Sequence, residues 1–278
     1  MLITTARLLS HLSDANWIIF DCRHDLFKPK RGAELYQAGH IPGAYFAPVD
    51  TALSGAKNGA NGRHPLPKAG DFGVFLARHG VTAATQIVAY DDVGGQYAAR
   101  LWWLARWIGL TKVGVLDGGI PKWVADGHPV TTDFSAPRAG GLVTARPDEA
   151  QVVSVAEVLD AVTAGNAHVL DARTPERFRG EVEPVDPVAG HIPSARNRPF
   201  KANLNPDLTL QSPAELKREF EALLGEWHPA DVVHQCGSGI TACVNLFAME
   251  HAGLTGSKLY AGSWSEWIAD PLRPIARG

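Results

Sequence analysis

Two halves of this sequence repeat one another, and no other property of the chain fixes its architecture so tightly. Ile3-Thr4-Thr5-Ala6-Arg7-Leu8-Leu9 runs parallel to Val153-Ser154-Val155-Ala156-Glu157-Val158-Leu159, and Ile19-Phe20-Asp21-Cys22-Arg23 to Val169-Leu170-Asp171-Ala172-Arg173, both displaced by 150 positions. Gly39-His40-Ile41-Pro42 recurs as Gly190-His191-Ile192-Pro193, and Leu116-Asp117-Gly118-Gly119 with Trp123 aligns, displaced by 144, with Tyr260-Ala261-Gly262-Ser263 and Trp267. Solenoid units are only about 20–50 residues long, so this period describes two whole domains. A segment with Pro137, Gly140, Gly141 and Pro147 has little periodicity and reads as a connector. The expected organisation is a first domain over 1–135, a linker over 136–150 and a second domain over 151–278. With 278 residues, 45% of them hydrophobic, the chain has enough apolar side chains for two cores.

Within each copy, short β-branched runs alternate with helical patterns. Strands are expected at Trp17–Asp21, Gln86–Tyr90 and 112–116, and again at 168–171, 231–234 and 257–260; helices are expected at 97–108 and 241–251. Such alternation predicts an α/β fold in tandem, each domain a mainly parallel sheet flanked by helices, with sites beyond the carboxyl ends of strands. A net charge of −3 supplies no basic field for nucleic acid, and no apolar run reaches the roughly 18 residues of a membrane span. The opening residues lack the pattern of a signal peptide, which predicts a cytoplasmic protein. Three cysteines without Cys-x-x-Cys or zinc-ligand spacing suggest neither disulfides nor a metal site.

The repeat also acts as an internal control. Residues present in both copies, such as Asp21 and Asp171, Arg23 and Arg173, or His40 and His191, are expected to hold the fold. Residues confined to one copy are candidates for chemistry. The run Gln235-Cys236-Gly237-Ser238-Gly239 stands opposite Asp91-Asp92-Val93-Gly94-Gly95, so Cys236 faces Asp92 and the first copy has no nucleophile there. Gly237 and Gly239 permit a tight turn in which amides and the positive end of the following helix point at the sulfur, an arrangement that stabilises a thiolate. Ser238 and Thr241 add hydroxyls. The competing reading is a small buried cysteine in a glycine-rich turn, and Cys22 and Cys243 are read that way as packing residues. Arg177 is also confined to the second copy, where Phe27 is its counterpart; it is either an anion-binding arginine or an exposed one with no task.

Cys236-Gly237-Ser238-Gly239-Ile240-Thr241-Ala242 resembles the active-site loop of two-domain rhodanese-type sulfurtransferases, and more narrowly of the 3-mercaptopyruvate sulfurtransferases. The resemblance extends over nearly the whole chain, through the paired Gly-His-Ile-Pro segments to Ser263-Trp264-Ser265-Glu266-Trp267. It implies that Cys236 carries sulfur as a persulfide from a small donor to cyanide, a thiol or reduced thioredoxin, with no metal or organic cofactor. It also implies that the loop residues Gly237, Gly239, Ile240 and Thr241 hold the charge and that Arg177 binds the donor's carboxylate. Ser238 would move protons, and Asp50 and His64 would join it from the first domain; the competing reading of His64 is a surface-loop residue.

The uncharged residues after Cys236 favour 3-mercaptopyruvate over the thiosulfate dianion, whose enzymes carry Arg and Lys there. One position departs from the pattern. The family usually has a second arginine about nine residues beyond the first, but this chain has Asp186; Arg179, Arg196 or Arg198 would have to substitute, or the donor would differ. Two other classes compete. Rhodanese-like phosphatases need Cys-x5-Arg, yet Ala242 stands six residues beyond Cys236. A non-catalytic binding module fits the loss of the cysteine in the first copy but not its retention in the second.

Overall fold

The protein, described from a computed structural model over residues 1–138 and 140–278, forms two compact units that are discontinuous in sequence. The first comprises 1–55, 67–148 and 204–210; the second comprises 56–66, 149–203 and 211–278. Residues 56–66 therefore belong with the second half of the chain, although they fall inside the stretch expected for the first domain. The expected 136–150 linker includes position 139, which lies outside the described residues.

The first unit carries strands β1 (Leu2–Ile3), β2 (Trp17–Asp21), β3 (Ala44–Phe46), β4 (Gln86–Tyr90) and β5 (Val113–Leu116), and helices α1 (Thr5–Leu9), α2 (Arg31–Ala38), α3 (Ala69–Arg78), α4 (Ala98–Trp107) and α5 (Gly119–Ala125). Its sheet runs β1-β5-β4-β2-β3, parallel throughout. Every residue of β2 is buried, as expected for a parallel strand covered on both faces. Ile19, Val88, Tyr90, Leu116 and Trp123 share one core cluster.

The second unit carries β6 (Val169–Asp171), β7 (Arg196–Asn197), β8 (Val233–Gln235) and β9 (Lys258–Leu259), with α6 (Val155–Thr163), α7 (Pro175–Arg179), α8 (Pro213–Leu224), α9 (Ala242–His251) and α10 (Ser263–Trp267). Its sheet runs β7-β6-β8-β9, again parallel, and a bridge between Val152 and Leu259 stands where β1 stands in the first unit. The tandem α/β architecture is the one the alternation predicts. The strand expected at 231–234 begins later, because His228 caps a 3-10 turn over Pro229–Asp231 and draws Asp231 out of the strand. Tyr97 and Thr241, expected inside helices, are N-caps of α4 and α9.

Residues shared by the two copies do the same work in each. Asp21 and Arg23 form a buried ion pair with Nε–Oδ1 at 3.0 Å, and the guanidinium also donates to Gly39 O at 2.7 Å. Asp171 and Arg173 repeat the pair, with donation to Gly190 O at 2.8 Å. His40 stacks on Tyr36 and His191 on Phe178, at 3.9 and 3.8 Å between ring centres. Each guanidinium thereby ties the end of a strand to the glycine that precedes a shared histidine. Cys22 and Cys243 are fully buried, and all three cysteines are free.

Candidate active site in the second unit

Cys236 is the first residue past β8, a strand flanked on both sides by partners, so sheet pairing fixes its position. Its N–H donates to Ser263 Oγ at 3.1 Å, its carbonyl accepts from Trp264 N at 3.0 Å, and Gly237 O accepts from Ser265 N at 3.0 Å. The loop is thus pinned to the start of α10. Gly239 has φ +76°, and a Cβ there would lie 2.3 Å from Ala261 O, so only glycine fits. The chain then enters α9 through Thr241.

The first unit shows what this loop is built to hold. There the buried Asp91 carboxylate accepts from the amides of Val93 and Gly95 on Oδ1, at 3.0 and 2.9 Å, and of Tyr97 and Ala98 on Oδ2, at 2.7 and 3.0 Å. Burial lifts the Asp91 pKa, with the four amides opposing it. The strand register pairs Asp21 with Tyr90 and Asp171 with Gln235, so the counterpart of Cys236 is Asp91 and not the Asp92 that the 144-residue displacement put there; the loop between strand and helix is one residue longer in the first unit. The N–H groups of Gly237, Thr241 and Ala242 donate to no protein acceptor among the described residues. The residue that follows the central strand is thus an internal anion capping the helix-start amides in the first unit and Cys236 in the second.

Ser238 and His64 come together: Ser238 Oγ lies 2.7 Å from His64 Nδ1, and both residues are buried. His64 is therefore not a surface-loop residue, and its segment packs within the second unit. Asp50 belongs to the first unit, half-buried, and lines a cavity of about 490 Å³ there with His24, Lys30 and Glu34. Ile240 is buried, and Thr241 is half-buried at the helix start.

Arg177 is not an idle surface arginine. Its Nε donates to both oxygens of Glu183 at 3.1 Å, and its Nη2 to Glu183 Oε1 at 2.7 Å and Asp186 Oδ2 at 3.1 Å. Asp186 also takes Arg63 Nη1 on its other oxygen. Burial pushes the Asp186 carboxyl up, against the pull of Arg63. Arg173 meets Glu183 at 3.4 Å and lies over the Trp264 ring at 4.8 Å. Burial disfavours its charge, but Asp171 outweighs this and raises its pKa.

The three arginines suggested as substitutes at Asp186 are engaged elsewhere. Arg179 pairs with Glu181, Arg196 lies over Trp227, and Arg198 pairs with Glu219. Arg63 and Glu183 escaped the sequence reading. The acid at 186, where the resemblance expects an arginine, was the available signal, because a buried carboxylate requires a cation beside it.

A family model described as Rhodanese-like domain matches residues 4–126 and again residues 154–270. A probable 3-mercaptopyruvate sulfurtransferase of Pseudomonas aeruginosa is 44% identical over 100% of this chain and 98% of its own. The putative thiosulfate sulfurtransferase SseB of Mycobacterium tuberculosis is 37% identical over 100% of this chain and 97% of its own. The crystal structure of SseA, a 3-mercaptopyruvate sulfotransferase from Escherichia coli, superposes with a TM-score of 0.81 at 31% identity, covering 95% of this chain and 98% of that one.

Proposed function

Because the chain belongs to the rhodanese-like family, in its two-domain sulfurtransferase branch, we propose that Cys236 carries a sulfur atom from 3-mercaptopyruvate to a thiophilic acceptor. The observation that carries this reading is the loop at Cys236, whose amides lack the internal carboxylate that fills the matching loop of the first unit. Amides gathered at the start of a helix stabilise an anion, and both the resting thiolate and the persulfide are anions.

The Cys236 thiolate attacks the donor sulfur. The S–S bond forms as the C–S bond breaks, and the electron pair passes to the pyruvate carbon as its enolate. The thiol proton of the donor ends on that carbon, giving pyruvate. Ser238, hydrogen-bonded to His64, is placed to relay this proton. Asp50 enters the relay on the family resemblance alone. Cyanide then takes the outer sulfur as thiocyanate, or a thiol takes it as a hydropersulfide, and the thiolate is restored; reduced thioredoxin is a further acceptor of this class.

The arginines near the loop favour a monoanionic donor. Arg63, Arg173 and Arg177 are balanced by Asp171, Glu183 and Asp186, so a dianion such as thiosulfate meets no surplus of positive charge. The SseB relative keeps thiosulfate as the second donor to test. A cytoplasmic setting suits three free thiols, and among the described residues no helix is long and apolar enough to cross a membrane.

Incubation with 3-mercaptopyruvate is expected to add one sulfur, about 32 Da, to the intact protein, and Cys236→Ser is expected to abolish the addition. Sulfur transfer to cyanide is then compared for the two donors. A mercaptopyruvate preference of about tenfold in kcat/KM, or about 1.4 kcal/mol, supports the donor assignment. No sulfur uptake from either donor refutes the reading and favours a binding module.

A further inference from the structure

Ile120 and Trp264 hold the same station in the two units. Ile120 N donates to Asp91 O and Trp264 N to Cys236 O, both at 3.0 Å, and each follows a residue with positive φ, Gly119 or Ser263. Farther along the same two helices, Trp123 and Trp267 give their indole N–H groups to Pro129 O and Pro274 O. In the second unit the Trp264 ring is fully buried, lies 4.8 Å from the Arg173 guanidinium and donates Nε1–H to Val188 O at 2.9 Å. In the first unit the smaller Ile120 leaves a groove of about 420 Å³ lined by Arg23, Ala38 and Gly39, with Val124 and Val130 at its rim, 53% and 49% exposed. Arg23 repeats Arg173: each pairs with the aspartate two positions before it and donates to a glycine carbonyl, Gly39 O or Gly190 O. Those bonds use the edge of the guanidinium and leave its face to a ring. Val188 stands two residues before Gly190, so its counterpart is Gln37, two before Gly39 and in the last turn of α2, where carbonyls have no partner within the helix.

We propose that this groove of the first unit is a docking site for a partner polypeptide that presents a tryptophan side chain. The complementarity is one of charge as well as shape. The Arg23 cation meets the negative face of the indole, and a carbonyl at the end of α2 meets its N–H, as Arg173 and Val188 meet Trp264 in the other copy. The exposed apolar rim of Val124 and Val130 receives the partner's backbone on either side of the ring. Tryptophan is among the side chains that most often anchor an interface by filling a pocket. The inference does not depend on Cys236 carrying sulfur, and it gives the copy without the nucleophile a recognition task of its own.

The test titrates the full chain with N-acetyltryptophanamide by calorimetry, with N-acetylleucinamide as the apolar control. Two variants accompany the wild type: Ile120→Trp supplies the ring from within, as the second unit does, and Val124→Glu puts a charge on the exposed rim. The wild-type protein is expected to bind the tryptophan probe at one site with a Kd of about 1 mM or below, at least about tenfold more tightly than the leucine probe. Each variant is expected to weaken that binding about tenfold or more. No binding by the wild type, equal affinity for the two probes, or undiminished binding in Val124→Glu overturns the inference. Sedimentation of the wild type at rising protein concentration tests the other occupant: a dimer that Val124→Glu dissolves shows that a second copy fills the groove, and overturns the partner assignment. Should Ile120→Trp not fold, Val124→Glu decides alone, because its side chain is exposed and its change does not disturb the core.

Discussion

His234 lies in the middle of β8, two residues before Cys236, fully buried and with neither ring nitrogen hydrogen-bonded. Burial alone lowers its pKa from 6.5 to about 3. The folded protein therefore keeps the ring neutral in a range where the unfolded chain binds a proton. Stability from this group is fully present above about pH 6.5 and is lost as the pH falls toward 3. With those two values, linkage gives a loss of about 2.5 kcal/mol between pH 7 and pH 4.5. His234→Leu removes the titration and two unsatisfied nitrogens at similar volume. Urea unfolding at the two pH values, followed by tryptophan fluorescence, is expected to show a stability loss about 2.5 kcal/mol smaller in the variant than in the wild type. Other titrating groups cancel in that difference. An equal loss in both proteins would refute the assignment of a neutral, unpartnered histidine to this strand.

Further outcomes follow from the same geometry. Ser238→Ala removes the hydroxyl bonded to His64, and kcat with 3-mercaptopyruvate is expected to fall about 10²-fold with KM little changed. Asp91→Asn turns an NH2 toward two of the four amides that its carboxylate caps; at about 1–3 kcal/mol for each donor left bare, the first unit should lose about 2–6 kcal/mol, read as a lower unfolding midpoint. Arg173→Met leaves the fully buried Asp171 without its ion-pair partner and should cost about 3–5 kcal/mol in denaturant titration. Lys122→Ala, which breaks an exposed pair with Asp126, should leave the melting temperature unchanged.

The sequence by itself determined what is local or repeated. The 150-residue displacement marked two α/β copies, because both carry the same strand, turn and ion-pair residues. Gly237 and Gly239 around Cys236 marked the loop, because a tight turn at a helix start needs glycine at defined places. Two helices left unassigned were also legible: Ser154 with Glu157 and Ser212 with Glu215 are capping boxes that start α6 and α8.

What faces the loop was decided only by the tertiary structure. His64 meets Ser238 across 174 positions, and Arg63 meets Asp186 across 123. Neither pairing follows a periodicity: the family resemblance alone brought His64 to Ser238, and nothing in the sequence brought Arg63 to Asp186. Asp186 read alone is an acid where an arginine was expected. Packing of 56–66 into the second unit turns it into the bridge between two arginines, because a carboxylate buried that deeply persists only where cations are brought to it.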